Sequence, residues 1–296
     1  MARLTKNDFL RMYSDKTEAV MVVLYDYSFA KAAEVAGVDA ILVGDSVGMV
    51  SLGLNSTTPV TLDEMITFCS AVTRGAKDTF VIGDMPFGSY EISDQIAIES
   101  SIRLIKEGSV NAVKLEGGLR IAPRIKAINS ANIPIMGHLG VTPQTSVGVA
   151  GYKPYGKTKK QILQLKNDME AIEEAGAYSI LLEGIPGELS EIAKSWVSIP
   201  IYGIGSGPNV NGQLLLAYDL LGLFPDFKPK FAKSFMQEVL TNAKLEGNLD
   251  LSMYQLITKV FELYKKSVNL REFPSLMETY SLGIDSNELI EYAVGL

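Results

Sequence analysis

Ala36-Gly37-Val38-Asp39-Ala40-Ile41-Leu42-Val43 is the stretch on which the fold turns. A helical pattern over Phe29–Ala36 stops at Gly37, and a short apolar run, Ala40–Val43, begins three residues later. Glycine just past a helix end is a stop signal, because it accepts left-handed backbone cheaply. The phrasing returns at Glu107-Gly108-Ser109-Val110-Asn111-Ala112, after a helical pattern over Asp94–Lys106. It returns again at Ala175-Gly176-Ala177-Tyr178, after one over Lys159–Ala175. Each return leads into a strand, so the chain is written in βα units without being a close sequence repeat.

Outward from these phrases, seven runs read as buried strands: Val20–Leu24, Ala40–Val43, Phe80–Gly83, Ala112–Leu115, Ile133–Met136, Ser179–Leu182 and Ile199–Tyr202. They are rich in Val and Ile and carry few charges, which suits a parallel sheet covered by helices. An eighth lies near Leu214–Tyr218, a run that reads equally as a helix after Gly212. Seven or eight such units favour an α/β fold of the (β/α)8 TIM barrel type over a doubly wound sheet. No GxGxxG follows the first strand, so a dinucleotide-binding sheet would lack its phosphate loop. From about Phe231 the pattern changes, and Ser234–Leu245 and Met253–Lys266 read as helices with no strand between. The expected division is a barrel with a short N-terminal helix over residues 1–246. A helical extension over 247–296 would pack on that barrel or on a neighbouring subunit.

The 296 residues fit one barrel, and 47% apolar content is enough for its core. A net charge of −7 without a basic stripe argues against nucleic acid as a partner. An anionic substrate would then need local positive charge from a lysine or a metal. The single cysteine, Cys69, excludes an internal disulfide. It sits in Met65-Ile66-Thr67-Phe68-Cys69, which reads as a helix interior and a buried thiol. Residues Met1 to Asp8 hold no apolar signal core, and no apolar run reaches the ~20 residues of a membrane span. A cytoplasmic protein without a membrane partner is expected.

In such a barrel the loops after the strands form the active face. Polar residues gather there: Asp45-Ser46 after the second strand, Asp84 after the third, Lys114 and Glu116 on the fourth, His138 after the fifth and Glu183 after the sixth. Singly, each has an ordinary reading. An aspartate after a strand often caps the next helix, and a lone histidine is often a hydrogen-bonded core residue. Lys114 and Glu116, two apart on one strand, face the same side and could be a structural ion pair. Together, Asp45, Asp84 and Glu116 offer hard oxygen ligands that suit Mg2+, whereas one Cys and one His do not suit zinc. A 2-oxo acid can chelate Mg2+ through its carboxylate and keto oxygens, and the ion would stabilise the enolate left by proton removal. Glu183, across the barrel, is the candidate base.

At these residues the sequence resembles the ketopantoate hydroxymethyltransferase family. The motifs are Tyr25-Asp26-Tyr27-Ser28-Phe29-Ala30, Val43-Gly44-Asp45-Ser46-Val47-Gly48-Met49, Asp84-Met85-Pro86-Phe87 and Val113-Lys114-Leu115-Glu116-Gly117-Gly118. Further on stand Gly137-His138-Leu139-Gly140-Val141-Thr142-Pro143-Gln144, Leu182-Glu183-Gly184-Ile185-Pro186 and Pro229-Lys230-Phe231-Ala232-Lys233. The resemblance implies a barrel of the phosphoenolpyruvate-dependent superfamily. It implies hydroxymethyl transfer from 5,10-methylenetetrahydrofolate to 3-methyl-2-oxobutanoate, giving 2-dehydropantoate in pantothenate synthesis. By motif, Asp45 and Asp84 would bind Mg2+, with Glu116 a ligand directly or through water. Asp45, Ser46, Asp84, Lys114 and His138 would meet the substrate, Glu183 would accept the proton, and the chain would form a homodecamer. The sequence departs from the family pattern at several positions: Val22-Val23-Leu24 stands where a Thr is common, Ser206 where alanine is usual, Asn211 where aspartate is usual, and Tyr218 where histidine is usual. Two alternatives stay open. One is a lyase or mutase of the same superfamily, although the Lys-Lys-Cys-Gly-His segment frequent in those enzymes is absent. The other is a catalytically silent binding or assembly subunit.

Overall fold

The computed structural model describes residues 3–145, 153–226, 228–245, 247, 250–283 and 286–296. The chain opens with α1 (Lys6–Ser14), β1 (Ala19–Val23), α2 (Tyr27–Val35), β2 (Ala40–Val43) and α3 (Val47–Val50). Next come α4 (Leu62–Gly75), β3 (Phe80–Asp84), α5 (Asp94–Lys106), β4 (Ala112–Glu116) and α6 (Ala122–Ser130). They are followed by β5 (Ile135–Gly140), α7 (Lys159–Glu174), β6 (Ser179–Glu183), α8 (Gly187–Ala193) and β7 (Ile201–Ile204). Last are β8 (Gly212–Leu216), α9 (Ala217–Leu221), α10 (Met236–Leu245), α11 (Met253–Asn269) and α12 (Asn287–Val294).

The eight strands close into a parallel barrel in chain order, with β1 paired to both β2 and β8. The ambiguous run near Leu214 is both things at once: strand as far as Leu216, helix from Ala217. Two strands start later than the sequence indicated. β5 begins at Ile135 and β7 at Ile201, each just after a proline, Pro134 and Pro200. Proline has no N–H to give to a ladder, so pairing starts beyond it.

Side chains just ahead of several helices start them. Asp26 accepts from the N–H groups of Ser28 and Phe29, Thr61 and Glu64 cap α4 reciprocally, and Ser93, Thr158 and Ser252 cap α5, α7 and α11. Gly37 and Gly176 end their helices in the left-handed region, at φ 75° and 101°. The third phrase works differently: the left-handed residue there is Ser109, at φ 58°. Gly108 is needed for space, since a Cβ on it would stand 2.7 Å from the Leu104 carbonyl oxygen and 2.9 Å from the Cys69 Cβ. Cys69 is buried beneath it, as its helix-interior position implied, and burial pushes its thiol up.

At the N-terminal end of the barrel, Phe9 of α1 closes the bottom, its ring centroid 5.0 Å from that of Phe80. One device recurs there at three strand pairs. Asp39, Asn111 and Asn211 each precede a strand. Each accepts, through a side-chain oxygen, the N–H of the neighbouring strand's residue: Val20 at 2.8 Å, Val81 at 2.8 Å and Ile201 at 2.9 Å. Each also donates its own N–H to that same residue's carbonyl. Asn211 therefore works at the end of the barrel away from the active face, and the job needs one acceptor oxygen that aspartate or asparagine supplies equally.

In the tail, α11 lies along α2, and the Tyr264 hydroxyl donates to the Met21 carbonyl at 3.2 Å. The segment before α12 reaches the start of α8, where the Gly187 N–H donates to the Tyr280 carbonyl at 2.9 Å. No helix among the described residues is long and apolar enough to cross a membrane.

Candidate active site

Every residue of β1, β2, β3 and β4 is buried. Among those side chains are Asp84, Lys114 and Glu116, which no apolar core would take up without partners. Lys114 Nζ lies 2.8 Å from Asp84 Oδ1 and 3.5 Å from Glu116 Oε1, so its nearer partner is Asp84 and not the glutamate of its own strand. Register explains the choice: Lys114 sits beside Asp84 across the β3–β4 pairing, on the same inward face. Asp45, one residue past Gly44 at the end of β2, donates its N–H to Asp84 Oδ2 at 3.1 Å. On β5, His138 pairs across the ladder with Glu116. Its Nδ1 is 3.1 Å from Lys114 Nζ and 3.3 Å from Glu116 Oε1, and its Nε2 is 3.2 Å from Glu183 Oε2 at the end of β6. A chain of charged groups thus runs around the inside of the barrel from Asp45 to Glu183, and every candidate residue read from the sequence lies on it or, like Ser46, beside it.

The charges are out of balance. Burial, then repulsion among the carboxylates, raises the Asp45 pKa well above the usual carboxylate range, and burial is also the largest cause of the rise at Asp84. Burial works against the Lys114 ammonium too, but Asp84, Glu116 and Asp45 outweigh it and raise its pKa. Burial likewise opposes the Glu116 carboxylate, and Lys114, His138 and Gln144 outweigh it and lower its pKa. At His138, burial and the Lys114 charge push down, while Glu116 and Glu183 lift the imidazole to about 9.

This donor set fits a hard divalent cation. Asp84 Oδ1 is buried and, among the described residues, has no hydrogen-bond donor in line, although the lysine ammonium is close. Asp45 and Asp84 stand on adjacent strand ends with an excess of negative charge around them. Mg2+ commonly takes only one or two carboxylates and keeps its waters. Glu116 has its Oε1 toward Lys114 and His138, and its Oε2 accepts the Gln144 N–H at 3.0 Å. Among the described residues, no group of three or more His, Cys, Asp or Glu side chains is arranged to hold a metal ion. Of the three carboxylates expected to serve the cation, Glu116 is turned toward the lysine and histidine.

Four further residues enter the site. Gln144 bridges the Asp45 and Glu116 carboxylates, and Tyr90 bonds to its side-chain oxygen and to the Glu116 backbone. The Tyr25 hydroxyl lies 2.8 Å from Ser46 Oγ and steadies it. Asp219 lines the cavity, its carboxyl lifted by burial to about 6 against the pull of Lys228. Tyr25 and Gln144 lay within conspicuous motifs, and Asp219 follows the unusual Tyr218. Tyr90, six residues beyond β3, had no signal at all. Tyr218 itself packs on Tyr25, at 5.8 Å between ring centroids, so this departure borders the site while Asn211 does not.

The cavity holds about 480 Å3. Asp45, Asp84, Lys114, Glu116, His138 and Glu183 line it, with Met49, Val50, Phe224, Pro229 and Phe231 among its apolar walls. Its size and its mix of apolar wall and convergent charge are those of a small-molecule site. The end of β5 pins the base side: Gly140 is at φ 99°, and a Cβ on it would collide with the Glu183 carbonyl.

Among solved structures, the chain is similar to a 2,3-dimethylmalate lyase of the PEP mutase/isocitrate lyase superfamily. The TM-score is 0.55 at 19% identity, over 91% of this chain and 99% of that one. It is also similar to a phosphoenolpyruvate phosphomutase from Streptomyces platensis subsp. rosaceus, at a TM-score of 0.59 and 12% identity, over 92% and 100%. At such identities the likeness shows the barrel alone. Sequence relatives are nearer. A 3-methyl-2-oxobutanoate hydroxymethyltransferase of Clostridium kluyveri is 43% identical over 97% of this chain and 96% of its own. One from Heliobacterium modesticaldum is 50% identical over 73% and 79%. The sequence model of the family described as ketopantoate hydroxymethyltransferase matches residues 3–275, which takes in every side chain of the charged ring, and the chain belongs to that family.

Proposed function

We propose that this cavity transfers a hydroxymethyl group from 5,10-methylenetetrahydrofolate to 3-methyl-2-oxobutanoate, giving 2-dehydropantoate. The observation that carries the reading is the placement of Glu183 across the cavity from Asp45 and Asp84, with Lys114 and His138 between them. Mg2+ held by the aspartate pair, with Glu116 reached through water, would polarise the keto oxygen and stabilise the negative charge that develops there. The protein's own groups do the rest. Ser46, held by Tyr25, and the Lys114 ammonium offer donors to the anionic substrate. Glu183 takes the proton from C3, and the electrons of that C–H bond become available to form the new carbon–carbon bond with the donor's one-carbon unit. The two C–N bonds that hold the one-carbon unit break, water supplies the hydroxyl oxygen, and the C3 proton and one proton of the water pass to the nitrogens of the departing tetrahydrofolate. His138, whose Nε2 lies 3.2 Å from Glu183 Oε2, stands against the base as an ion-pair neighbour. The apolar wall shields the reacting carbon from bulk water. The neighbours named as lyase and mutase share only the barrel, and a silent subunit would have no need of an assembled base and carboxylate pair. The working form is proposed to be a cytoplasmic homodecamer.

Mass spectrometry of the product from 3-methyl-2-oxobutanoate, methylenetetrahydrofolate and Mg2+ tests the reading. A product heavier than the substrate by one CH2O unit, absent without the folate, is expected. Conversion that proceeds without folate, or cleavage of the oxo acid, would contradict it.

A further inference from the structure

Gln144 is fully buried, at 0% exposure, and both ends of its side-chain amide and its backbone N–H are hydrogen-bonded. Its side-chain N–H2 donates to Asp45 Oδ2 and to the Met85 carbonyl, both at 2.9 Å. Its Oε1 accepts from the Tyr90 hydroxyl at 2.6 Å. Its backbone N–H donates to Glu116 Oε2 at 3.0 Å. The Tyr90 hydroxyl also lies 3.2 Å from the Glu116 carbonyl oxygen. One residue therefore holds one oxygen of Asp45 and one of Glu116 together. The loop that carries it starts at Val141, whose N–H donates to the Glu183 carbonyl at 2.9 Å. Four residues, Val141 to Gln144, thus tie the base side of the cavity to the carboxylate side.

The amide's polarity decides what this does. An N–H2 group can only donate, so Asp45 Oδ2 is occupied as an acceptor and Oδ1 is the oxygen left to turn to the cavity. The Tyr90 hydroxyl fixes the amide the right way round, because only the carbonyl end can accept from it. We propose that Gln144, oriented by Tyr90, is a positioning residue that selects the free oxygen of Asp45. The affinity of the aspartate pair for Mg2+ would then depend on this amide. The proposal rests on the reading of Asp45 and Asp84 as the cation site. Partners that orient ligating carboxylates typically change metal affinity about 10–100-fold when removed.

Calorimetric titration of the metal-free protein with Mg2+ tests this, alongside its melting temperature. Three variants are compared with the parent: Gln144→Met, close in shape but without donors; Gln144→Glu, which can still accept from Tyr90 but cannot donate to Asp45; and Tyr90→Phe, which leaves the amide in place and removes its orienting hydroxyl. We expect the Kd for Mg2+ to rise about 10–100-fold in Gln144→Met and more in Gln144→Glu. Tyr90→Phe should show a smaller rise, of several-fold, with a melting temperature close to the parent's. A purely structural amide would lower the melting temperature and leave the Kd of the folded fraction unchanged. Should Gln144→Met fail to fold, Tyr90→Phe decides: an unaltered Kd in that variant overturns the proposal. No Mg2+ binding by the parent itself would instead overturn the cation-site reading, so the two failures are distinguishable.

Discussion

At Lys114 the chain buries an ammonium 2.8 Å from Asp84, and removal of either partner leaves the other charged and dry. Breaking such a pair costs about 3–5 kcal/mol. Lys114→Ala should therefore lower the melting temperature of the metal-free protein sharply. Added Mg2+ should recover much of that loss, since a dication takes over the neutralisation of the aspartates. It should not recover the rise in KM for the oxo acid, which has lost an ammonium donor. Thermal melts with and without Mg2+ and steady-state kinetics read both effects, and a variant as stable as its parent would refute the ion-pair role. Single residues of this kind were legible in the sequence, because a lysine inside an apolar strand and carboxylates at strand ends conflict with a plain core. Their partners were not. The sequence offered Glu116 to Lys114 on spacing alone, whereas the inter-strand register put Asp84 closer, and register between β3 and β4 is a property of the closed sheet.

At the scale of the elements, the strands and the glycine-stopped helices were readable because their signals are local. Apolar runs, caps and stop residues act within a few positions. What could not be read was why particular residues stand between the elements. Gly108 is demanded by Leu104 and Cys69, and Asn211 by the N–H of Ile201, ten residues away on another strand. The Asn211 device makes a separable expectation. Asn211→Asp keeps the acceptor oxygen and should leave stability, kcat and KM near the parent values. Asn211→Ala leaves the buried Ile201 N–H without its partner, at a cost of about 1–3 kcal/mol, again without a change in KM. Denaturant unfolding and kinetics on both variants check this. A KM that moves with Asn211→Asp would place the residue in the substrate site after all.

For the whole molecule, closure of eight strands brings six polar side chains from five strand ends into one cavity, and no stretch of sequence contains that convergence. Before the last helix the chain also presents apolar side chains to solvent, with Leu276 87% and Met277 78% exposed. Exposed large apolar groups on adjacent residues are suited to cover by another chain. A homodecamer is proposed, and analytical ultracentrifugation should show a single species of ten chains. A monodisperse monomer would contradict it.

Glu183 is proposed to remove the C3 proton of a 2-oxo acid held on the opposite side of the cavity, and that role decides the reading of the whole site. It is tested most directly by NMR of deuterium exchange at C3 of 3-methyl-2-oxobutanoate in D2O, with Mg2+ and without folate. The parent protein should exchange that proton. Glu183→Gln, folded and loaded with Mg2+, should exchange it about 10²–10⁴-fold more slowly, the usual contribution of a positioned general base. Exchange at the parent rate in Glu183→Gln would show that the base lies elsewhere in the cavity.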